Sequence, residues 1–179
     1  PQTVQFIQYK KGEKVTQTLS CTQIVLITKG AVKISYDHFF DCNIGLGKII
    51  LLPPGCHFTM HTKSGADAFI FRFHEAIDFI SLESVDGLIE KMPASINNLN
   101  CLDMNPRLAD FLSFIQNNIQ NELCREDYLQ LKAKELLYLL QHYYTREQLT
   151  HLFSPLPTTN GRFHNFVLMN YRGIKTVRQ

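Results

Sequence analysis

The sequence contains no tryptophan, and no apolar run in it approaches the ~18 residues of a membrane-spanning helix. Its longest apolar stretches, residues 24–27 and 49–52, have the length of strands. Residues 1–20 are mostly polar and do not read as a secretory leader. There is no CxxC, and the five cysteines are odd in number and irregularly spaced. That disfavours both a disulfide framework and a structural zinc site, and points to a reducing cytoplasm with the thiols as small buried apolar groups. GxSxG, HExxH, GxGxxG and the P-loop are also missing, and Gly45-Leu46-Gly47 is a lone turn signal. Paired carboxylates at strand ends are not evident. Catalysis therefore has little positive support, and the chain reads as a non-enzyme.

What is present is enough for one large domain plus pieces: 179 residues, 45% of them hydrophobic, with net charge +2. The charge is uneven. Residues 161–179 carry Arg162, Arg172, Lys175 and Arg178 and no acid, while the rest of the chain is net −2. By charge alone this tail is either a solvated face or a patch for an anionic partner.

The first 75 residues read as strands separated by Gly and Pro turns. Residues 4–9 precede a Lys-Lys-Gly turn. Residues 24–28 and 31–36 flank Lys29-Gly30 and read as a hairpin, with Val32, Ile34 and Tyr36 on one face. Residues 48–52 stop at Pro53-Pro54-Gly55, and 57–62 and 68–74 follow. Many short strands joined in this way predict a sandwich or small barrel. From about residue 105 the apolar period becomes helical. Asn105 and Pro106 open one helix with the stripe Leu108, Phe111, Leu112, Ile115 and Ile119. A second helix is expected over about 126–144, carrying Leu129, Ala133, Leu136, Leu137, Leu140 and Tyr144, antiparallel to the first. These stripes fit packing on the strands or a share in a dimer seam. The Pro- and Thr-rich residues 154–161 make the best domain boundary. Beyond it Phe163, Phe166, Val167 and Tyr171 have helical spacing. Thr176 to Gln179 then has the capping-box form that opens a helix, so the natural protein is expected to continue past Gln179.

His57 and His61 lie four apart in a strand and share a face opposite Phe58 and Met60. With the apolar pair turned to the core, both read as surface or structural histidines, and no metal or cofactor is expected. His142 and His151 read as helix-surface residues. A small organic effector suits an apolar interior with one tyrosine hydroxyl, and the candidate lining residues are Phe6, Ile34, Tyr36, Phe58, Met60 and Phe71. Plain core packing is the competing reading of these aromatics. Arg72 alternates away from Phe69, Phe71 and Phe73. It reads as a surface arginine, or else as the polar contact of a pocket.

Architecture and tail together resemble the AraC-type family of bacterial transcription regulators. The resemblance rests on Phe153-Ser154-Pro155, on Arg162 through Tyr171, on Lys175 through Gln179, and more loosely on Leu52-Pro53-Pro54-Gly55 in the strand region. It implies an α+β chain with a cupin-like (jelly-roll) barrel over residues 1–100 as effector or regulatory domain. A helical dimerisation region over 101–153, a linker over 154–161 and the start of a helix-turn-helix DNA-binding domain over 162–179 would follow. The absence of an HxH segment departs from metal-dependent cupins and implies a sensor, with a small metal-dependent cupin isomerase or dioxygenase as the alternative. A carbohydrate-binding jelly roll is disfavoured by the missing tryptophan. Under this resemblance the chain is a cytoplasmic homodimer without membrane contact, its seam drawn from Leu108, Leu112, Ile115, Ile119, Leu129, Leu136 and Leu140. It would reach DNA mainly through residues beyond Gln179, with phosphate contacts at most from Arg172, Lys175 and Arg178. On its own it is expected to bind duplex DNA weakly or not at all.

Overall fold

The computed structural model describes residues 1–74 and 99–156. The strands are β1 (Val4–Tyr9), β2 (Lys14–Thr18), β3 (Thr22–Tyr36), β4 (Phe39–Gly45), β5 (Lys48–Leu52), β6 (His57–His61), β7 (Ala66–Phe73) and β8 (Cys101–Asp103). Three helices follow: α1 (Pro106–Gln120), α2 (Glu126–Tyr143) and α3 (Arg146–Phe153). The reading of residues 162–179 as the opening of a helical domain falls outside the described residues.

All strand pairings are antiparallel. One layer, sheet A, has the order β1-β7-β3-β5-β8; the other, sheet B, pairs β4 with β3, β3 with β6, and β6 with β2. Strand β3 belongs to both. The hairpin expected across Lys29-Gly30 is therefore not formed. Residues 22–30 pair with β7 while 33–36 pair with β6, and the strand turns the corner between sheets where its register slips between Ile27 and Lys29. Gly30 makes the corner possible. Its φ is +68°, and a Cβ there would stand 2.2 Å from the Gly65 carbonyl oxygen.

Burial explains why the two halves of β3 read differently. Residues 22–27 are buried on both faces, as are Ile49–Leu52 of β5, because sheet A has sheet B on one side and the helices on the other. Continuous apolar runs are the mark of such doubly covered strands. In sheet B, by contrast, Val32, Ile34 and Tyr36 are buried while Lys33 and Ser35 are half-buried. Two cores result. The inner one lies between the sheets. The outer one joins Ile24, Leu26, Phe69 and Phe71 of sheet A to Leu108, Leu112, Leu136 and Leu140 of the helices.

Helix α1 starts as expected: the Asn105 side chain accepts from Arg107 N–H at 2.9 Å, and Pro106 follows. Asn118 reaches the Tyr128 hydroxyl and Lys132 lies over the rings of Phe111 and Phe114, so α1 and α2 run antiparallel. Helix α3 falls inside the stretch read as helical and carries His151, and Thr145 and Gln148 form a complete capping box at its start. Strand β8 falls just past residue 100, so the sheet extends three residues into the stretch read as helical. Residues 154–156 are tied back to the domain, with Ser154 bonded to Asn100 and to the His151 carbonyl.

Tyr144 fastens the helices to the sheet edge. Its hydroxyl donates to the Asp103 carbonyl at 2.7 Å and accepts from the Asn105 N–H at 2.8 Å. Tyr144→Phe is expected to lower unfolding free energy by about 1–3 kcal/mol, since it removes two hydrogen bonds made by a buried side chain. Leu136→Ala, at a fully buried position of the outer core, should cost about 2–5 kcal/mol. Urea unfolding of both variants measures this, and a negligible loss for Leu136→Ala would contradict a close-packed outer core.

Candidate functional site

Four of the six expected lining residues come together in the inner core. Ile34 pairs with Met60 and Tyr36 with Phe58 across β3 and β6, all with their side chains between the sheets. Phe6 and Phe71 do not join them. They belong to the outer core beneath the helices, with Phe6 against Phe69 and Phe71 stacked on Phe111. Strand alternation is the reason: Phe69 and Phe71 share one face of β7, and Ala68, Ile70 and Arg72 share the other. The face carrying the phenylalanines is the one that α1 and α2 cover.

Arg72 thus points inward, and its reading as a surface arginine is corrected. It is only 9% exposed. Its Nη1 donates to the Gln2 carbonyl at 2.9 Å, and its Nη2 to Gln5 Oε1 at 2.8 Å. Its cross-strand neighbour on β3 is Gln23, itself 5% exposed and on the inward face. Burial pulls the guanidinium below its usual range, opposed by the nearby Cys21 and Tyr9.

Two inner-core atoms have no hydrogen-bond partner among the described residues: Gln23 Oε1 and the Tyr36 hydroxyl. They sit toward one end of the sandwich. Both lie on β3 away from the Gly30 corner, and at that end Leu19, just after β2, hydrogen-bonds Cys56 and Gly55, just before β6. Burial dominates the Tyr36 phenol and pushes it above its ordinary value, helped by Cys56, Cys42 and Asp37. Cys56 is itself pushed up to about 11, again chiefly by burial. Burial thus favours the protonated thiol, whereas the thiolate is the nucleophile. The arrangement offers hydrogen-bonding groups in an apolar setting. It offers no activated nucleophile.

Reasoning from sequence missed Gln5, Gln23 and Arg72 as a set. The signal was there: a glutamine heading the run Ile24–Ile27 and an arginine inside an aromatic strand are polar side chains where both faces read as buried.

His57 and His61 lie on the outer face of sheet B, alternating with buried Phe58 and Met60, and His57 Nδ1 meets the Thr18 hydroxyl at 2.9 Å. Among the described residues no three or more His, Cys, Asp or Glu side chains gather in a way that would hold a metal ion. The seven side chains expected at a dimer seam are covered within the chain. Leu108, Leu112, Ile115, Leu129, Leu136 and Leu140 are buried in the outer core and Ile119 packs against it. Sheet A has an apolar outer face that needs covering, and these stripes cover it. Arg172, Lys175 and Arg178 lie outside the described residues.

No family model matches the chain, and no curated protein sequence matches it. Solved structures do. A Rhizobium leguminosarum protein of unknown function is similar over 42% of this chain and 72% of its own, with 22% identity and TM-score 0.39. A cupin superfamily protein of Desulfitobacterium hafniense is 14% identical over 40% of this chain and 66% of its own, TM-score 0.38. The Drosophila melanogaster CENP-C cupin domain is 10% identical over 40% and 60%, TM-score 0.36. The structural neighbours thus include cupin-fold proteins. No helix among the described residues is long and apolar enough to cross a membrane.

Buried and half-buried phenols give the fold a pH signature. Tyr9 is pushed up to about 12, mainly by burial and further by Glu13, against the opposing charge of Arg72. Tyr36 and Tyr144 are raised as well, in both cases mainly by burial. A phenol held protonated in the fold but ionising near 10 when unfolded contributes stability that is fully present below pH ~10 and lost as pH rises toward ~12. Urea unfolding between these limits should show this decline, and Tyr9→Phe should flatten it. A wild-type stability that stays level through the window would contradict it.

Proposed function

We propose that this chain is the regulatory part of an AraC-type, sequence-specific DNA-binding transcription regulator, and that its sandwich binds a small organic effector between the sheets. The observation that carries the effector reading is the pair of buried, unpartnered atoms Gln23 Oε1 and Tyr36 hydroxyl. A buried polar group without a partner costs about 1–3 kcal/mol. A ligand offering one donor to the amide oxygen and one polar atom to the phenol would recover that cost, while Arg72 and its neighbours fix the polar end of the site. In this reading the chain is not an enzyme and needs no metal or cofactor. Residues 162–179 begin the DNA-contacting domain, and the effector acts by preferring one arrangement of sandwich, helices and linker over another.

Self-association belongs to the same reading, since two DNA-binding halves joined in one dimer bind as a bivalent unit. The covered stripes do not serve as its seam. On α1 and α2 the large apolar side chains left outward are Phe114, Leu131 and Tyr138. Light scattering at tens of micromolar is expected to give a dimer that Leu131→Glu/Tyr138→Glu dissociates. A monomeric wild-type chain would remove this part of the proposal.

Tyr36→Phe and Gln23→Met test the effector reading directly. Without ligand, each should leave the unfolding free energy unchanged or raise it by about 1–3 kcal/mol, because an unsatisfied polar group is removed. In a thermal-shift screen of small organic acids, amides and sugars, a compound that stabilises the wild type should lose most of its effect on both variants. Clear destabilisation of the ligand-free protein by Tyr36→Phe would mean that the hydroxyl is already satisfied, and the effector reading would fall with it.

A further inference from the structure

Four connections meet at the corner end of the sandwich, opposite the interior polar site. The β1–β2 turn is held by Gly12 N–H on the Thr62 carbonyl at 2.9 Å and by Thr62 N–H on the Glu13 carbonyl at 3.1 Å. The β6–β7 turn is held by buried Thr62, whose hydroxyl donates to the Ala31 carbonyl at 2.8 Å and accepts from Gly65 N–H at 3.0 Å. Gly65 lies against the β3 corner at Gly30, and Gly47 of the β4–β5 turn bonds the Ile27 carbonyl at 2.8 Å. These bonds fix the turns against one another, so the side chains they carry form one surface.

That surface is cationic. Lys10 and Lys11 stand on the β1–β2 turn, Lys29 at the β3 corner and Lys63 on the β6–β7 turn, all exposed. Lys14 and Lys33 flank His61 in one transverse row of sheet B. Among the described residues none of the six is in an ion pair; the pairs formed are His38–Asp37, Lys48–Asp103, Arg125–Asp127 and Lys132–Glu135. Two carboxylates lie near. Glu13 accepts from Lys10 N–H at 2.7 Å, and Asp67, opposite Lys29, accepts from Gln8 Nε2 at 3.5 Å. Six lysines against two acids leave a local +4. Helices α1–α3 show no such excess: residues 106–153 hold five basic and six acidic side chains.

We propose that this lysine pole docks on the phosphodiester backbone of duplex DNA, independently of the interior site and of the tail. Lysine meets phosphate as a flexible point charge. With strands about 4.8 Å apart and sheets about 10 Å apart, the six ammonium groups cover a patch roughly 20 Å across once side-chain reach is added. Such a patch spans several phosphates of a duplex carrying one charge per ~1.7 Å. The pole has no arginine to fork onto a guanine edge, so the contact positions without reading sequence. An acidic protein fits less well, because protein interfaces lean on Trp, Tyr and Arg anchors and the pole has none exposed. A bilayer fits less well too, because firm anchoring needs a sizeable apolar insertion besides charge, and among the described residues the large apolar side chain exposed there is Leu46.

The test uses the whole 179-residue chain and a labelled duplex of arbitrary sequence, read by fluorescence anisotropy over a range of salt. Wild type should bind weakly and with steep salt dependence. Lys10→Gln/Lys11→Gln/Lys29→Gln/Lys63→Gln should weaken binding at least tenfold at low salt. It should also flatten the log–log salt slope by about 3.6, near 0.9 for each phosphate no longer neutralised. Lys14→Gln/Lys33→Gln, a second route should the first variant misfold, should flatten it by about 2. Lys134→Gln/Arg146→Gln on the helices should change neither. If pole variants with wild-type melting curves bind as the wild type does, the proposal is overturned. Loss of binding only in Arg172→Gln/Lys175→Gln/Arg178→Gln assigns the phosphate contact to the tail, which overturns the pole and leaves the regulator reading standing. Binding to phosphatidylglycerol vesicles but not to duplex overturns it in favour of a membrane.

Discussion

Sheet A has two apolar faces, and neither can be left in water. Ile24, Leu26, Phe69 and Phe71 face one way; Val25, Ile27, Ala68 and Ile70 face the other. At roughly 25 cal/mol per Å² of apolar surface removed from water, leaving either face bare would cost more than a domain of this size has to spare. The rest of the architecture answers that requirement. Strand β3 bends at Gly30 to place sheet B over one face, and α1, α2 and α3 cover the other. The helical stripes are consumed in doing so, which is why side chains that look available for a partner are already engaged within the chain.

The same constraint sets the character of the interior. Once both faces are covered, any polar side chain left between the sheets must find a partner or bear a desolvation cost. Arg72 finds two, the Gln2 carbonyl and Gln5, and its own N–H bonds the Thr3 carbonyl at 2.8 Å. Thr3 in turn bonds the Glu126 carboxylate at the start of α2, its N–H at 3.2 Å. The residues leading into β1 therefore touch the polar end of the inner core and the helical layer at once. Gln23 and Tyr36 are the exceptions to this economy, and exceptions inside a core are where a ligand has something to gain.

Much of this was legible in the residues themselves. Unbroken apolarity at 24–27 and 49–52 against strict alternation at 32–36 already separates a sheet covered on both sides from one covered on a single side. Asn105-Pro106 marked the start of α1 to the residue. What escaped was long-range. No local feature distinguishes a glycine that ends a hairpin from one that bends a strand into a second sheet, since both need positive φ; only the partners of residues 22–30 and 33–36 decide it. Strands β2 and β4 are edge strands of mixed polarity, and their identity comes from β6 and β3 beside them. Phe6 and Phe71 read as lining of the interior because alternation says which residues share a face and not which layer that face meets. The lysine pole was invisible for the same reason, its members being scattered from 10 to 63 along the chain.

Strand β3 also governs how the chain can be assembled in time. It pairs with β4, β5, β6 and β7, and β7 is the strand that pairs with β1, through partners as remote as Val4 and Phe71. At translation rates of about 5–20 residues per second, β1 waits several seconds for the strand that holds it. Such non-local pairing makes for slow folding. Most of the inner core can close once β7 is made, with Leu99 completing it, but the outer face of sheet A stays bare until α2 has left the ribosome. A nascent chain of this protein therefore passes through a stage in which a finished sandwich carries an uncovered apolar sheet face, and that stage is where chaperones would meet it.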